Sequence, residues 1–407
     1  MSLFSSDGFL EKLTRVELKK HYQKKKIVRS LYLHGNLSQS EIMGYVEVSA
    51  PTLQNLLDEL INERIIVVSG PGSSKGGRRP NLYGLKRNAL YVLSIDIGLY
   101  VTRMTLFDIT NKKASPVKKI TIELKNDITI IDIIYNNALE LIKKSGIDES
   151  RILGVGIDMP GLINSEEGRN HSVLNCDKPV RELFEEKFKK PVVIINDAKA
   201  KTLAEFRFGK AIGKRHVLVL HLGWGIGLGM ILNGKPYNGA NGFSGEFAHI
   251  PMTDQRGLLC KCGKRGCLET VTSGAALTRL AVEAIEEGEM TLIKEMSGGN
   301  VKNINPDLIL KAASEGDQFA ISIISKIGFD LGKGISSLVQ ILNPEMIILG
   351  GPLAKAGSYL TTSIEQALHQ YTFSIIREGM EITISELGDE ANLLGNTINV
   401  METLFEN

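Results

Sequence analysis

An α/β body that carries a small basic head and a metal-binding loop is the fold this sequence predicts, on three observations. From Tyr91 onward, apolar strands alternate with helical stretches. Before that, residues 14–85 follow the pattern of three helices and a hairpin. Between them in character stand Cys260, Cys262 and Cys267, with His249 upstream. A chain of 407 residues also exceeds one ordinary core and divides into two or three domains.

The head comes first. Residues 14–33 read as a helix with a basic flank of Lys19, Lys20, Lys24, Lys25, Lys26 and Arg29. After the Gly35-Asn36 break, Ser38-Gln39-Ser40-Glu41 has the form of a capping box and opens a short second helix. Ser49 is placed to cap a third, and Pro51 is tolerated in its first turn. Leu53, Leu56, Leu57, Leu60 and Ile61 then recur at helical spacing and form one apolar face. Opposite them, near the helix N-terminus, Ser49, Thr52, Gln54 and Asn55 are candidates for reading base edges in a major groove. Residues 65–68 read as a strand, 69–80 as a glycine-rich loop with Lys75, Arg78 and Arg79, and 82–85 as a second strand. Strand, basic loop and strand make a wing, and arginines suit the negative potential of a narrow minor groove. The prediction for 1–88 is therefore a winged helix-turn-helix that binds DNA. A three-helix protein-interaction domain followed by a Gly/Ser linker is the competing reading.

Charge agrees with DNA binding. Residues 1–90 hold 14 Lys/Arg against 8 Asp/Glu, and the remainder holds 34 against 38. A basic head on a mildly acidic body is the footprint of a nucleic-acid module joined to something else.

The body follows. Residues 91–97, 153–158, 192–196 and 217–220 read as buried strands. Helices around 130–144, 198–208, 274–287, 307–315, 317–342 and 391–405 separate or follow them. Such alternation implies α/β layers.

The cysteine loop carries the sharpest chemistry. Thiolates spaced C-x-C-x4-C at Cys260, Cys262 and Cys267, plus the His249 imidazole, supply the four N/S ligands of a closed structural Zn2+ site. Gly263 and Gly266 let the backbone turn tightly around one ion. A local disulfide competes, but it suits neither this odd thiol set nor a chain without signs of export. The fourth cysteine, Cys176, reads as an ordinary buried thiol. With 43% hydrophobic and 23% charged residues, no membrane-length apolar run and no basic-then-apolar leader, a cytoplasmic location without a membrane partner is expected.

The residues around the cysteines carry a resemblance. Gly239-Ala240-Asn241-Gly242-Phe243-Ser244-Gly245-Glu246-Phe247-Ala248-His249 leads into the loop and Leu268-Glu269 closes it. This resembles the ROK family of sugar kinases and sugar-responsive repressors, with its G-A-x-G-x-x-G-E-x-G-H and C-x-C-G-x-x-G-C-L-E patterns; only Ala248 departs, standing where the family has glycine. The resemblance runs from about residue 90 to the C-terminus, and Gly76-Gly77-Arg78-Arg79-Pro80 looks like the wing of the family's repressors. It implies two ribonuclease-H-like lobes of the actin/hexokinase superfamily, at 89–200 with the C-terminal helix 391–407 and at 201–390 with the zinc loop.

Family kinases end a first strand in D-x-G-G-T-K, whose glycines and threonine approach ATP phosphates. Here the residues are Asp96-Ile97-Gly98-Leu99-Tyr100-Val101. The second phosphate loop, G-T-G-I-G-G-G in kinases, is Gly223-Trp224-Gly225-Ile226-Gly227-Leu228-Gly229, with the chain's one tryptophan in place of threonine. Phosphoryl transfer rests on holding and neutralising phosphates, so changes at Leu99, Tyr100, Val101 and Trp224 argue against an enzyme. A sugar kinase with atypical phosphate loops remains the alternative. By the same resemblance, Asn196, Asp197, Glu246, His249 and Glu269 match sugar ligands, and Asn175 an upstream asparagine. His249 would then serve twice, one ring nitrogen on zinc and the other on a hydroxyl. The expectation is a repressor of carbohydrate genes that pairs operator DNA with a monosaccharide such as N-acetylglucosamine or xylose, or a derivative. It would act as a homodimer or tetramer, and a transport-protein partner, which controls some family repressors, stays open.

Overall fold

The computed structural model describes residues 4, 13–72, 79–253 and 256–406. They divide into two compact units: Met1–Gly161 with Glu167–Ile195 and Asn396–Asn407, and Leu162–Glu166 with Asn196–Gly395.

The first unit opens with α1 (Arg15–His34), β1 (Leu37–Ser38), α2 (Gln39–Val46), α3 (Ala50–Asn62), β2 (Ile66–Pro71) and β3 (Asn81–Leu85). Both α1 and α2 start at capping boxes, Thr14 with Glu17 and Ser38 with Glu41, each satisfying two otherwise orphaned N–H groups. Ser49 does occupy the N-cap of α3, but its hydroxyl makes no cap bond and instead lies 2.8 Å from the Thr52 hydroxyl. β3 lies between β1 and β2 in one small sheet. Lys75 and Arg78 lie outside the described residues, and Arg79 is exposed.

The basic flank of α1 is partly turned inward. Lys24 donates to Glu63 at 2.6 Å and pairs with Glu59 at 2.8 Å, while Lys20 pairs with Glu59 at 2.5 Å. Lys25 is buried as well. These lysines stitch α1 to the end of α3 because their stems lie on the face that packs.

Apolar residues of the head continue into the first sheet. Ile27, Leu31, Leu53, Leu57 and Leu60 share one cluster with Val92, Ile109 and Leu153, and with Val400, Met401 and Phe405 of the C-terminal helix. The Phe405 ring packs against Phe4 and Tyr32, and the Tyr32 hydroxyl donates to Asn111 Oδ1 at 3.0 Å.

That sheet comprises β4 (Tyr91–Ile97), β5 (Val101–Asp108), β6 (Lys118–Thr121), β7 (Ile152–Met159) and β10 (Val192–Asn196), in the order β10-β7-β4-β5-β6. A two-stranded ribbon of β8 (Ile163–Asn164) and β9 (Arg169–Asn170) intervenes in the chain. Helices α4 (Thr129–Ser145) and α5 (Val180–Phe188) belong to this unit.

The second unit repeats the arrangement. After α6 (Asp197–Phe208) come β11 (Val217–Leu222), β12 (Ile226–Leu232) and β13 (Lys235–Pro236), then α7 (Glu269–Thr272), α8 (Gly274–Glu286), α9 (Leu292–Met296), α10 (Pro306–Ser314) and α11 (Gln318–Leu342). β14 (Met346–Gly350), α12 (Ser358–Tyr371), α13 (Ser374–Arg377) and β15 (Glu381–Ile384) complete it, and α14 (Ala391–Glu406) carries the chain back into the first unit. The sheet order is β13-β12-β11-β14-β15. In both sheets an antiparallel meander comes first, and β7 and β14 then pair parallel with its first strand.

The second glycine stretch is a loop only as far as Gly225; from Ile226 it is strand. A Cβ at Gly227 would stand 2.6 Å from the Ala198 Cβ, and one at Gly229 would collide with the Thr202 hydroxyl. These two glycines let α6 lie directly on β12. Among the described residues, no helix is long and apolar enough to cross a membrane.

Candidate functional site

His249 closes a short turn, Phe247–His249, in the second unit. Isolated bridges Pro251 to Cys267 and Leu259 to Arg265 fold the following segment back on itself. The Cys260 N–H donates to Lys264 O at 2.8 Å, and Gly263 (φ 85°) turns the chain between them. One ligand atom from each of His249, Cys260, Cys262 and Cys267 lies within 4.8 Å of all the others. His249 Nδ1 is 3.5 Å from Cys260 Sγ, and Cys262 Sγ is 3.6 Å from Cys267 Sγ. A tetrahedral ion with Zn–S bonds of about 2.3 Å sets its ligands about 3.8 Å apart, so donors and spacing fit zinc. All four cysteines are free thiols. Burial, then hydrogen bonding with Cys262 and Cys260, pushes the Cys267 thiol up to about 12. Burial raises Cys260 as well, whereas at Cys262 burial is outweighed by hydrogen bonds from the Lys264 N–H and with Cys260 and Cys267, which lower the thiol.

The other ring nitrogen of His249, Nε2, stands 3.9 Å from Glu246 Oε2. Glu246 is the hub of a charged cluster. Burial holds its carboxyl above the usual carboxylate range; Lys199 and Lys261 oppose that shift, while Asp197 and Glu269 add to it. Asp197 is the first residue of α6, 4.0 Å from Lys201 Nζ. Glu269 opens α7, with Oε1 3.1 Å from Lys261 Nζ and Oε2 accepting from the Ile226 N–H at 3.3 Å. A Cβ on Gly225 would come within 2.7 Å of that carboxylate, so the glycine admits it.

Asn196, Asp197, Glu246, His249 and Glu269 all fall in the second unit, and two details were not foreseen. Asn196 Oδ1 accepts from the Ala198 and Lys199 N–H groups at 2.9 and 3.4 Å, so it caps α6. Each carboxylate also has a lysine nearby. Lys199 is only 8% exposed and donates to the Gly242 carbonyl; burial pulls its pKa down to about 8. The signal was present in Asn196-Asp197-Ala198-Lys199-Ala200-Lys201 and in Lys261 between two cysteines. Asn175 belongs to the other unit, on an exposed stretch before α5. Cys176, next to it, is half-buried rather than buried.

The four-ligand knuckle and the part-exposed Glu246 beside it lie within the segment, residues 92–402, that matches one family model. The chain belongs to the ROK family. It is 31% identical to a xylose repressor of Caldicellulosiruptor bescii over 390 residues, 93% of this chain and 95% of that one. It is 35% identical to a glucokinase of Halalkalibacterium halodurans over 251 residues, 61% of this chain and 76% of that one. A solved ROK family transcriptional regulator, a homologue of the E. coli MLC protein, superposes with a TM-score of 0.80 at 24% identity, covering 96% and 97% of the two chains. That likeness gives the fold, the α/β architecture of ROK repressors and actin/hexokinase-type sugar kinases.

In this ROK chain the first glycine turn is tight: the Gly98 N–H donates to Val101 O at 3.1 Å, leaving Leu99 and Tyr100 exposed. Asp96 Oδ2 accepts from Arg103 Nη1 at 3.0 Å, its register partner on β5. The second loop is fixed from α8, whose Gly274 and Ala275 N–H groups donate to Gly223 O and Trp224 O, while the indole is half-exposed. His221, behind that loop, lies against Gly351 (φ 90°), and burial, then the Lys201 cation, holds it well below the usual range and neutral. Asp158 is fully buried and accepts from Asn396 Nδ2, which also donates to Ile95 O. Asp158 therefore anchors α14 to the first sheet. On α3, Thr52, Gln54 and Asn55 are exposed, but Gln54 is already engaged by Gln39 and Asp58 at 2.5 and 2.7 Å.

Proposed function

We propose that the chain is a sugar-responsive transcriptional repressor of the ROK family, with a winged helix-turn-helix head over 1–88 and two lobes, 89–200 with 391–407 and 201–390. One observation carries this reading: the likeness to a xylose repressor extends over nearly the whole of both chains, head included, whereas the likeness to a glucokinase covers only 61% of this one. On this reading Ser49, Thr52, Gln54, Asn55, Lys75, Arg78 and Arg79 meet operator DNA, with Gln54 exchanging its present partners for a base. Asn175, Asn196, Asp197, Glu246, His249 and Glu269 hold the sugar. A bound zinc ion would supply only a fixed tetrahedral centre; Cys260, Cys262, Cys267 and His249 Nδ1 would hold it, which aims His249 Nε2 toward Glu246 and the ligand. Two heads on a two-fold dimer would match paired half-sites, and sugar binding would lower operator affinity by the coupling between the two sites, typically 1–3 kcal/mol or about 5–150-fold.

The glucokinase likeness favours a second reading, a sugar kinase. Against it stand the ion pair that occupies Asp96, and Leu99, Tyr100 and Trp224 at the phosphate loops. The test is retention of genomic DNA fragments by the purified protein with and without a panel of monosaccharides, run beside an ADP-release assay. Discrete fragments released by one sugar, with no ADP formed, are the expected result. ADP formation without DNA retention would replace the repressor by the kinase.

A further inference from the structure

The cluster around Glu246 carries an inference that rests on the sugar-site reading and narrows it. A neutral monosaccharide needs only hydroxyl partners, and three bare carboxylates would serve. Three bare carboxylates would also repel any anion. Here Asp197, Glu246 and Glu269 are interleaved with Lys201, Lys199 and Lys261, so the cluster is close to neutral.

The three lysines are not alike. Lys201 and Lys261 stand 4.0 and 3.1 Å from a carboxylate oxygen and are part-exposed or exposed. Lys199 is buried, donates to a neutral carbonyl, and among the described residues forms no ion pair within 4.0 Å. An ammonium ion in that setting has lost water and is offset only by the Glu246 carboxylate beyond ion-pair distance, and it keeps donors for more than one acceptor. Its depressed pKa expresses that deficit. Tethering the 239–246 loop to α6 would need only a neutral donor there.

We propose that this site takes a sugar derivative bearing an anionic group, a carboxylate or a phosphate ester, and that Lys199 is the residue that selects it. The sugar hydroxyls face Asp197, Glu246 and Glu269, and the anionic group approaches the Lys199 ammonium. Uronic or aldonic acids and sugar phosphates share this chemistry.

The test is calorimetric titration of the full-length protein, zinc content verified, at constant ionic strength. Glucose, xylose and N-acetylglucosamine are each offered in neutral, carboxylate and phosphate-ester form, with acetate and inorganic phosphate as controls. For one sugar, an anionic form should bind at least tenfold more tightly than the neutral form and more tightly than either control. Which anionic form binds tells a sugar acid from a sugar phosphate. Lys199→Met should abolish the preference and Lys199→Arg should keep it, with thermal unfolding of both variants checking the fold. Neutral sugar bound as tightly as its anionic forms, or a preference that survives in Lys199→Met, would overturn the proposal while leaving the sugar site standing. Binding of no sugar in any form would overturn both.

Discussion

The head and the cysteine knuckle are both small elements set on larger α/β units, and they are held by opposite means. Residues 13–85 put Ile27, Leu31, Leu53, Leu57 and Leu60 into an apolar cluster that runs on into β4, β7 and α14. The knuckle has little interior: Leu258 is 44% exposed and Leu259 63%. Two isolated bridges fold it, and four ligand atoms that could hold a metal ion lie within 4.8 Å of one another. Small segments that cannot bury enough apolar surface need a staple, whereas a segment that borrows a neighbour's core does not. Perturbations should therefore separate the two.

The largest effect is expected at Cys267, which is 1% exposed. Cys267→Ser should lose one equivalent of zinc and cost about 4 kcal/mol or more in stability, because a metal site is lost outright. Zinc analysis and thermal unfolding check this. Unchanged stability in metal-free protein would mean that the knuckle is held by its backbone bonds alone. The head should keep its fold and its DNA affinity in that variant.

Next comes Phe405, where α14 meets Phe4 and Tyr32. Phe405→Ala should cost about 3–5 kcal/mol through the cavity it leaves. Calorimetry should then show the head melting ahead of the rest, with zinc content unchanged. A single transition that moves as a whole would mean the remaining cluster still couples head and sheet.

The same contrast explains what could be read from the sequence. Cysteine spacing, the Ser38–Glu41 cap and the leucine period of α3 are local patterns, and the structure contains each. What stayed hidden depends on distant neighbours. Gly227 and Gly229 read as loop glycines because nothing local shows that α6 will lie on them. Asn196 reads as a hydroxyl ligand, yet its oxygen caps α6. β5 and β6 lack the continuous apolar run that marks a buried strand, and pairing with β4 makes them strands. Lysines within the sugar motif are visible as letters, but their convergence on Glu246 is tertiary.

Acid sharpens the comparison on the head's side. His21 is buried on α1, and burial, then the Lys25 and Lys24 cations, lowers its pKa from 6.5. The unfolded chain therefore takes up the proton first, so stability should decline as pH falls below about 6.5 and be unaffected above it, with a slope of at most about 1.4 kcal/mol per pH unit. His21→Gln should flatten that part of the profile in urea titrations between pH 5 and 7. An unaltered slope would show that other groups carry it.

The smallest effect tests which head cations are available to phosphate. The seven Lys/Arg of α1 invite equal counting, but Lys24 lies between Glu59 and Glu63, and Lys20 also pairs with Glu59. A cation already neutralised within the protein releases few counterions from DNA, because its charge is spent whether or not DNA is bound. Arg79, exposed just before β3, has no acid within ion-pair distance among the described residues. Arg79→Ala should therefore reduce the slope of log K against log salt by about 1, and Lys24→Met should leave it unchanged. Stability in Lys24→Met should move by less than about 1 kcal/mol, since a methionine stem still covers the groove and both glutamates, at 28% and 35% side-chain exposure, can hydrate. If the two variants lowered the slope equally, Lys24 would have to leave its glutamates on binding, and the ion pairs joining α1 to α3 would then be broken in the DNA-bound head.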